Sequence, residues 1–209
     1  MKILVCFALK EEAAPFKAMA AKNPAVEILL VGIGQMNAAR SIRKALAKET
    51  PALVLTCGFA GGLNPDLKLG TVIFASGVER LYARFISTGA KPAEIYCADR
   101  IAITVAEKRQ LRLQTGADAV EMESGAIQDA CRAAAIPCAT IRVISDPAGE
   151  DLPLDFNALS KPDKNLDFGK LAWAIARSPG KIRGLLHLQK NTRFAARQLA
   201  GVLAEITSL

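Results

Sequence analysis

The chain has 209 residues, 51% hydrophobic and 22% charged, with 27 Lys or Arg against 20 Asp or Glu. That is enough for one sizeable domain over residues 1–209 and too little for a second core. No apolar run reaches membrane-spanning length, and the opening Met1–Ala8 is shorter than a secretory signal, so a soluble cytoplasmic protein is expected.

The cysteines Cys6, Cys57, Cys97, Cys131 and Cys138 are odd in number and lack CxxC spacing. With His187 as the single histidine, no metal-ligand cluster can be assembled, so neither metal, cofactor nor disulfide framework is expected. The net charge of +7 gathers late: between Phe168 and Ala204 stand seven Lys or Arg and no Asp or Glu. Such a stretch can favour phosphates, nucleic acid or an anionic membrane surface, and it is equally the pattern of a solvated helix face.

In chain order, Lys2–Ala8 reads as a buried strand and Leu9–Ala21 as a helix carrying Glu11 and Glu12. Val26–Val31 is a second strand that ends in Gly32-Ile33-Gly34 before a helix over Met36–Lys48. Ala52–Cys57 and Thr71–Ala75 are further strands, with Gly58-Phe59-Ala60-Gly61-Gly62-Leu63 after the first of them. In the middle, Glu94–Cys97 and Ile101–Val105 fit strands, Val78–Ser87 fits strand or helix, and Val105–Gln114 fits a helix. A strand then runs into Glu121, a helix covers Ser124–Ala135, and the strand Cys138–Ile144 leads to Asp146-Pro147. Helices over Leu166–Arg177 and from Gly180 to about Ile206 complete the chain. Apolar strands alternating with helices predict an α/β fold with a mostly parallel sheet covered on both faces.

Gly32-Ile33-Gly34 lacks the third glycine of a dinucleotide fingerprint and reads as a tight turn whose N–H groups could face an anion or ligand. The glycines at 58, 61 and 62 suggest close backbone approach to a ligand, or a bulge. Glu121-Met122-Glu123 sits at a strand-to-helix junction, where a carboxylate either complements the helix dipole or accepts both hydroxyls of a ribose diol. Arg142 and Ile144 share one strand face and Val143 and Ser145 the other, with Asp146 at the strand end. A carboxylate partly buried there could act as a general acid, or simply cap a turn.

These pieces in this order resemble the nucleoside phosphorylase and nucleosidase superfamily that includes methylthioadenosine/S-adenosylhomocysteine nucleosidases. The stretches that carry the resemblance are Ala8–Glu12, Gly32–Gly34 with Asn37–Ala39, Gly58–Leu63 with Leu69-Gly70, Val120–Glu123 and Val143–Asp146. The C-terminal part, with Asp146-Pro147-Ala148, Leu152-Pro153 and Arg177–Gly180, looks like the hopanoid-associated branch, whose members cleave adenine from adenosylhopane.

The resemblance implies a three-layer α/β sandwich with a central mixed, partly barrel-like sheet flanked by helices. By position it also implies that Asp146 protonates the leaving purine and Glu123 binds the ribose hydroxyls, with Met122 against the sugar. Glu12 would activate water, Arg142 would stand beside that nucleophile, and Ser145 would orient the acid. Glu121, Phe59 and Gly61 complete the expected substrate site. Phe59 replaces a serine that helps hold the water in the nucleosidases, and the segment from Ala75 to Thr104 is shorter than in typical relatives. Arg80, Tyr82, Arg84 and Phe85 are candidates for its contacts to base and 5′ substituent.

Hydrolysis, phosphorolysis and non-catalytic nucleoside binding are therefore the competing readings. The retained Glu12 favours water over phosphate. A homodimer is expected and nucleic acid is not. Lys181, Arg183, Lys190, Arg193 and Arg197, interleaved with Leu185, Leu186, Leu188 and Phe194, suggest peripheral membrane contact or a core-packing helix with a basic face.

Overall fold

The computed structural model describes residues 2–159, 169–170 and 180–208, without the side chain of Arg80. In chain order it contains β1 (Ile3–Phe7), α1 (Lys10–Ala20), β2 (Val26–Leu30), α2 (Gln35–Leu46), β3 (Leu53–Gly62), β4 (Val72–Ser76) and α3 (Glu79–Ser87). There follow β5 (Lys91–Pro92), β6 (Ile95–Cys97), α4 (Val105–Thr115), β7 (Ala119–Glu121), α5 (Ser124–Ala133), β8 (Cys138–Asp146) and α6 (Lys181–Thr207).

Every residue of β1 is buried, so its alternation serves two cores instead of one core and solvent. Ile3, Val5 and Phe7 pack with Ala13 and Phe16 of α1 and with Ala195, Leu199 and Leu203 of α6. Leu4 and Cys6 face the other way, onto Ala38 and Ile42 of α2 and Ile127 and Cys131 of α5. The result is a sheet with helices on both sides, three layers in all.

The sheet runs β2-β1-β3-β8-β4-β5, with β7 joining β3 to β6. It is mixed: β1 pairs parallel with β2 and β3, and β3 with β8, whereas β4 runs antiparallel to β8 and β7 to β3. The pairings are mostly parallel, as expected, and those two antiparallel contacts make the sheet mixed. They form where the chain folds back beyond the doubly wound half.

Other differences are local. The glycine run is not a loop after β3 but its last part, since Gly58 to Gly61 stay paired to β8 while Gly61 and Gly62 also pair with β7. Residues 101–105 are not a strand. Asn157 ties Ile101 down from both its N–H and its C=O, and Thr104 becomes the N-cap of α4 by accepting from the Glu107 N–H. Val78–Ser87 resolves as α3, and the two-residue β5 carries no hydrophobic signal that could have announced it. The expected helix over Leu166–Arg177 lies outside the described residues, apart from 169–170.

Helix α6 is buried along its second half, at Ala195, Ala196, Leu199, Ala200, Leu203 and Ile206, while Ile182, Leu186 and Phe194 are exposed. Among the described residues no helix is long and apolar enough to cross a membrane.

Candidate active site

Residues at the far ends of β3, β7 and β8 line a cavity of about 180 Å³. Its walls include Phe59 and Gly61 of β3, Met122 and Glu123 after β7, Ser145 and Asp146 of β8, and Arg100 to Ala102 from the irregular segment before α4. Three carboxylates, Glu12, Glu123 and Asp146, are sequestered around this end of the sheet, and each is held differently.

Glu12 is buried in the first turn of α1. One oxygen accepts from the Leu9 N–H at 2.8 Å, as a capping carboxylate does, and the other from the Phe59 N–H of β3 at 2.8 Å. Burial pushes its carboxyl above the usual range, against the pull of those N–H groups and of Arg142. The glycine at 58 is explained by this carboxylate: a Cβ there would stand 2.7 Å from Glu12 Oε1. Gly61 and Gly62 leave room in the same way for Asp146 Oδ2, at 3.1 Å, and for the Ala148 nitrogen, at 3.2 Å. The close approach expected of this glycine run is thus made, in the first place, by the protein's own groups.

Asp146 is re-aimed by a bulge. The β3–β8 register shifts so that Ala60 faces Ile144 but Gly61 faces Asp146, leaving Ser145 as the extra residue. Ser145 Oγ donates to Asp146 Oδ1 at 2.7 Å, and Lys108 Nζ of α4 stands 2.8 Å from Oδ2. Burial raises the pKa of Asp146 above its ordinary value, with Lys108 and Ser145 pulling it down.

Glu123 Oε1 accepts from the Gly34 N–H at 2.8 Å, so the tight turn before α2 presents its amide to a carboxylate of this chain. Burial, with help from neighbouring Glu121 and Glu12, pushes Glu123 up to about 7, against Arg142 and the Gly34 N–H. Glu121, two residues earlier, is its opposite. Burial alone would raise it, but the Arg142 guanidinium, the Ser124 hydroxyl and the Glu123 N–H hold it down to about 2. Glu121 and Arg142 form a fully buried ion pair. Arg142 also donates to Thr56 Oγ1 and to the Ile141 carbonyl, at 3.2 Å each. Glu121 borders the cavity, yet its carboxylate is spent on Arg142, on Ser124 and on two backbone amides.

The structure therefore gathers Phe59, Gly61, Glu121, Met122, Glu123, Ser145 and Asp146 on one cavity, with Glu12 and Arg142 behind its wall. It does not bring Tyr82, Arg84 or Phe85 of α3 there, and the Arg80 side chain lies outside the described residues. Phe85 is buried against Phe74, Tyr82 meets the same ring edge-on, and Arg84 donates to the Glu205 and Ser208 carbonyls. Arg100, Ile101 and Ala102 take that part of the wall instead. Lys108 was not singled out from the sequence either. It is one of several basic residues on a polar helix, and only the packing of α4 distinguishes it.

A family model described as Phosphorylase superfamily matches residues 78–175. The aminodeoxyfutalosine nucleosidase of Campylobacter jejuni is 26% identical over 170 residues, which cover 65% of this chain and 74% of that one. The 5′-methylthioadenosine/S-adenosylhomocysteine nucleosidase of Chromohalobacter salexigens is 29% identical over 168 residues, covering 64% and 72%. Among solved structures, the corresponding nucleosidase of Neisseria meningitidis, in complex with methylthio-immucillin-A, superposes with a TM-score of 0.74 at 20% identity. That match covers 100% of this chain and 99% of the other, and it shows a shared fold. In the matched segment, in its relatives and in its fold, this chain is similar to the nucleosidases of the phosphorylase superfamily.

Proposed function

We propose that this enzyme hydrolyses the N-glycosidic bond of a purine nucleoside and releases adenine. The observation that carries the reading is the grouping of three carboxylates, buried Glu12 and Glu123 and partly buried Asp146, around the glycine half of β3. Cleavage of an N-glycoside passes through an oxocarbenium-like state that needs a proton on the leaving base and an activated nucleophile on the other side of the sugar. Asp146, whose proton burial holds more tightly against the pull of Lys108 and Ser145, supplies the proton, and Ser145 orients it. Glu123 accepts the ribose hydroxyls, Met122 packs on the sugar, and Glu12 takes the proton of the attacking water. Arg142 acts at one remove, through Glu121 and the field it exerts on Glu12 and Glu123.

Water is favoured over phosphate because the arginines near the cavity are engaged, Arg142 with Glu121 and Arg100 with Glu107. The test follows adenine release from adenosine, methylthioadenosine and a hydrophobic 5′-substituted adenosine of the adenosylhopane type, with and without phosphate. Release without phosphate is expected, and Asp146→Asn should lower kcat by about 10²–10⁴-fold. Release that requires phosphate and yields ribose 1-phosphate would make the enzyme a phosphorylase. Binding without release would leave it a nucleoside-binding protein.

The finer reading, a membrane-dissolved substrate, draws support from α6, where exposed Ile182, Leu186 and Phe194 stand among Lys181, Arg183, Lys190, Arg193 and Arg197. Co-sedimentation with anionic liposomes that weakens with salt is expected. Equal binding to neutral liposomes, indifferent to salt, removes the electrostatic contact.

A further inference from the structure

Lys108 is fully buried in the middle of α4, with none of its side chain reaching solvent. A buried ammonium is costly unless it is paired and hydrogen-bonded, and this one has more acceptors than protons. Its Nζ donates to the Pro147 carbonyl at 3.0 Å, to the Glu150 carbonyl at 2.9 Å and, at a longer 3.3 Å, to the Asp146 carbonyl. The fourth acceptor is the Asp146 carboxylate, at 2.8 Å. Fastening a turn through carbonyls needs only neutral donors. A full positive charge at this place is accounted for by the carboxylate.

We propose that Lys108 is a positioning residue for the acid: it fixes the 146–150 turn and stabilises the negative charge left on Asp146 when the proton passes to the base, an inference that rests on reading Asp146 as that acid. In the step, the Asp146 O–H proton moves to a ring nitrogen of the purine, and the electron pair of the C1′–N bond leaves with the base. Water adds at C1′ and gives its proton to Glu12. Asp146 is left anionic beside the ammonium until it takes a proton from solvent. A preorganised charge aimed at the site of developing charge needs no rearrangement during the reaction.

Two opposed influences then set the acid. Burial favours the protonated form at the start, and Lys108 favours the anion at the end. Among the described residues, the charged groups facing Asp146 are Lys108 from α4 and Glu150 from the turn, whose own carboxylate lies 3.9 Å from His187 of α6. Strand β8 adds only the Ser145 hydroxyl, and β3 only Gly61. Arg100 stands at the cavity wall, paired to Glu107.

The experiment compares wild type with Lys108→Gln, which keeps donors for the carbonyls without the charge, with Lys108→Met, which removes both, and with Lys108→Arg, which keeps the charge. Two readouts are taken: the carboxyl-carbon NMR titration of Asp146, identified by Asp146→Asn, and the pH profile of adenine release. In whichever neutral variant folds, the titration midpoint and the alkaline limb of kcat should both move up by about one pH unit or more. Plateau kcat should fall about tenfold or more, with the arginine variant near wild type in both midpoints. An active enzyme whose neutral variants lose stability but keep both midpoints makes Lys108 a clamp only, and overturns the proposal. A wild type that releases no base at any pH sinks the acid reading itself, which is a different result from an unmoved midpoint.

Discussion

Glu121 and Glu123 are two residues apart and both buried, yet one is held down to about 2 and the other pushed up to about 7. The difference is one of partners. Glu121 has the Arg142 guanidinium and a serine hydroxyl directly on its oxygens, whereas Glu123 has one amide hydrogen bond and two carboxylates nearby. The sign of the consequence follows. A carboxyl whose folded value lies above its ordinary 4.5 binds its proton more tightly in the native state. Its contribution to stability is full below about 4.5 and is lost as pH rises through about 7. For Glu123 the loss is on the order of 3 kcal/mol. Denaturant unfolding between pH 5 and 8 should therefore show a steeper fall for wild type than for Glu123→Gln, which stays neutral throughout. Equal slopes would remove the assignment. On the ribose-binding role proposed for Glu123, which calls for its ionised form, KM for the nucleoside should also fall as pH rises through about 7.

At the scale of the element, β3 explains why glycine appears where strand propensity argues against it. Its first half, Leu53 to Cys57, is a buried run that any reading of periodicity finds. Its second half stays extended because β8 on one side and β7 on the other supply the pairing. The missing side chains are the spaces filled by Glu12 and Asp146. Gly58 also sits at a φ of +154°, which an L side chain rarely adopts. Gly58→Ala should then cost about 1–3 kcal/mol in stability. By displacing Glu12 it should lower kcat about 10²-fold. Gly77→Ala is the control, since a Cβ there meets nothing within 4 Å. Thermal melts and turnover that respond equally to the two substitutions would refute this account of the glycines.

Across the whole molecule, what could be read in advance follows the physics of burial. Strands β1, β3 and β8 announce themselves because both their faces are covered, which forces long apolar runs. The same logic misreads Ile101, Ile103 and Val105, whose alternation resembles a strand: Ile101 lies in the irregular wall of the cavity, tied by Asn157, and Val105 opens α4. The chain alone determined the strands and helices from β1 to β4 and from α4 to β8, and the carboxylates that end them, because local pattern and motif spacing are properties of sequence. Only the tertiary structure decided that Glu121 is spent on Arg142, that Tyr82, Arg84 and Phe85 stand away from the cavity, and that Lys108 meets Asp146. Those contacts join residues distant in sequence. Their energies depend on desolvation and on which charges share a buried space, and neither exists until the layers have closed.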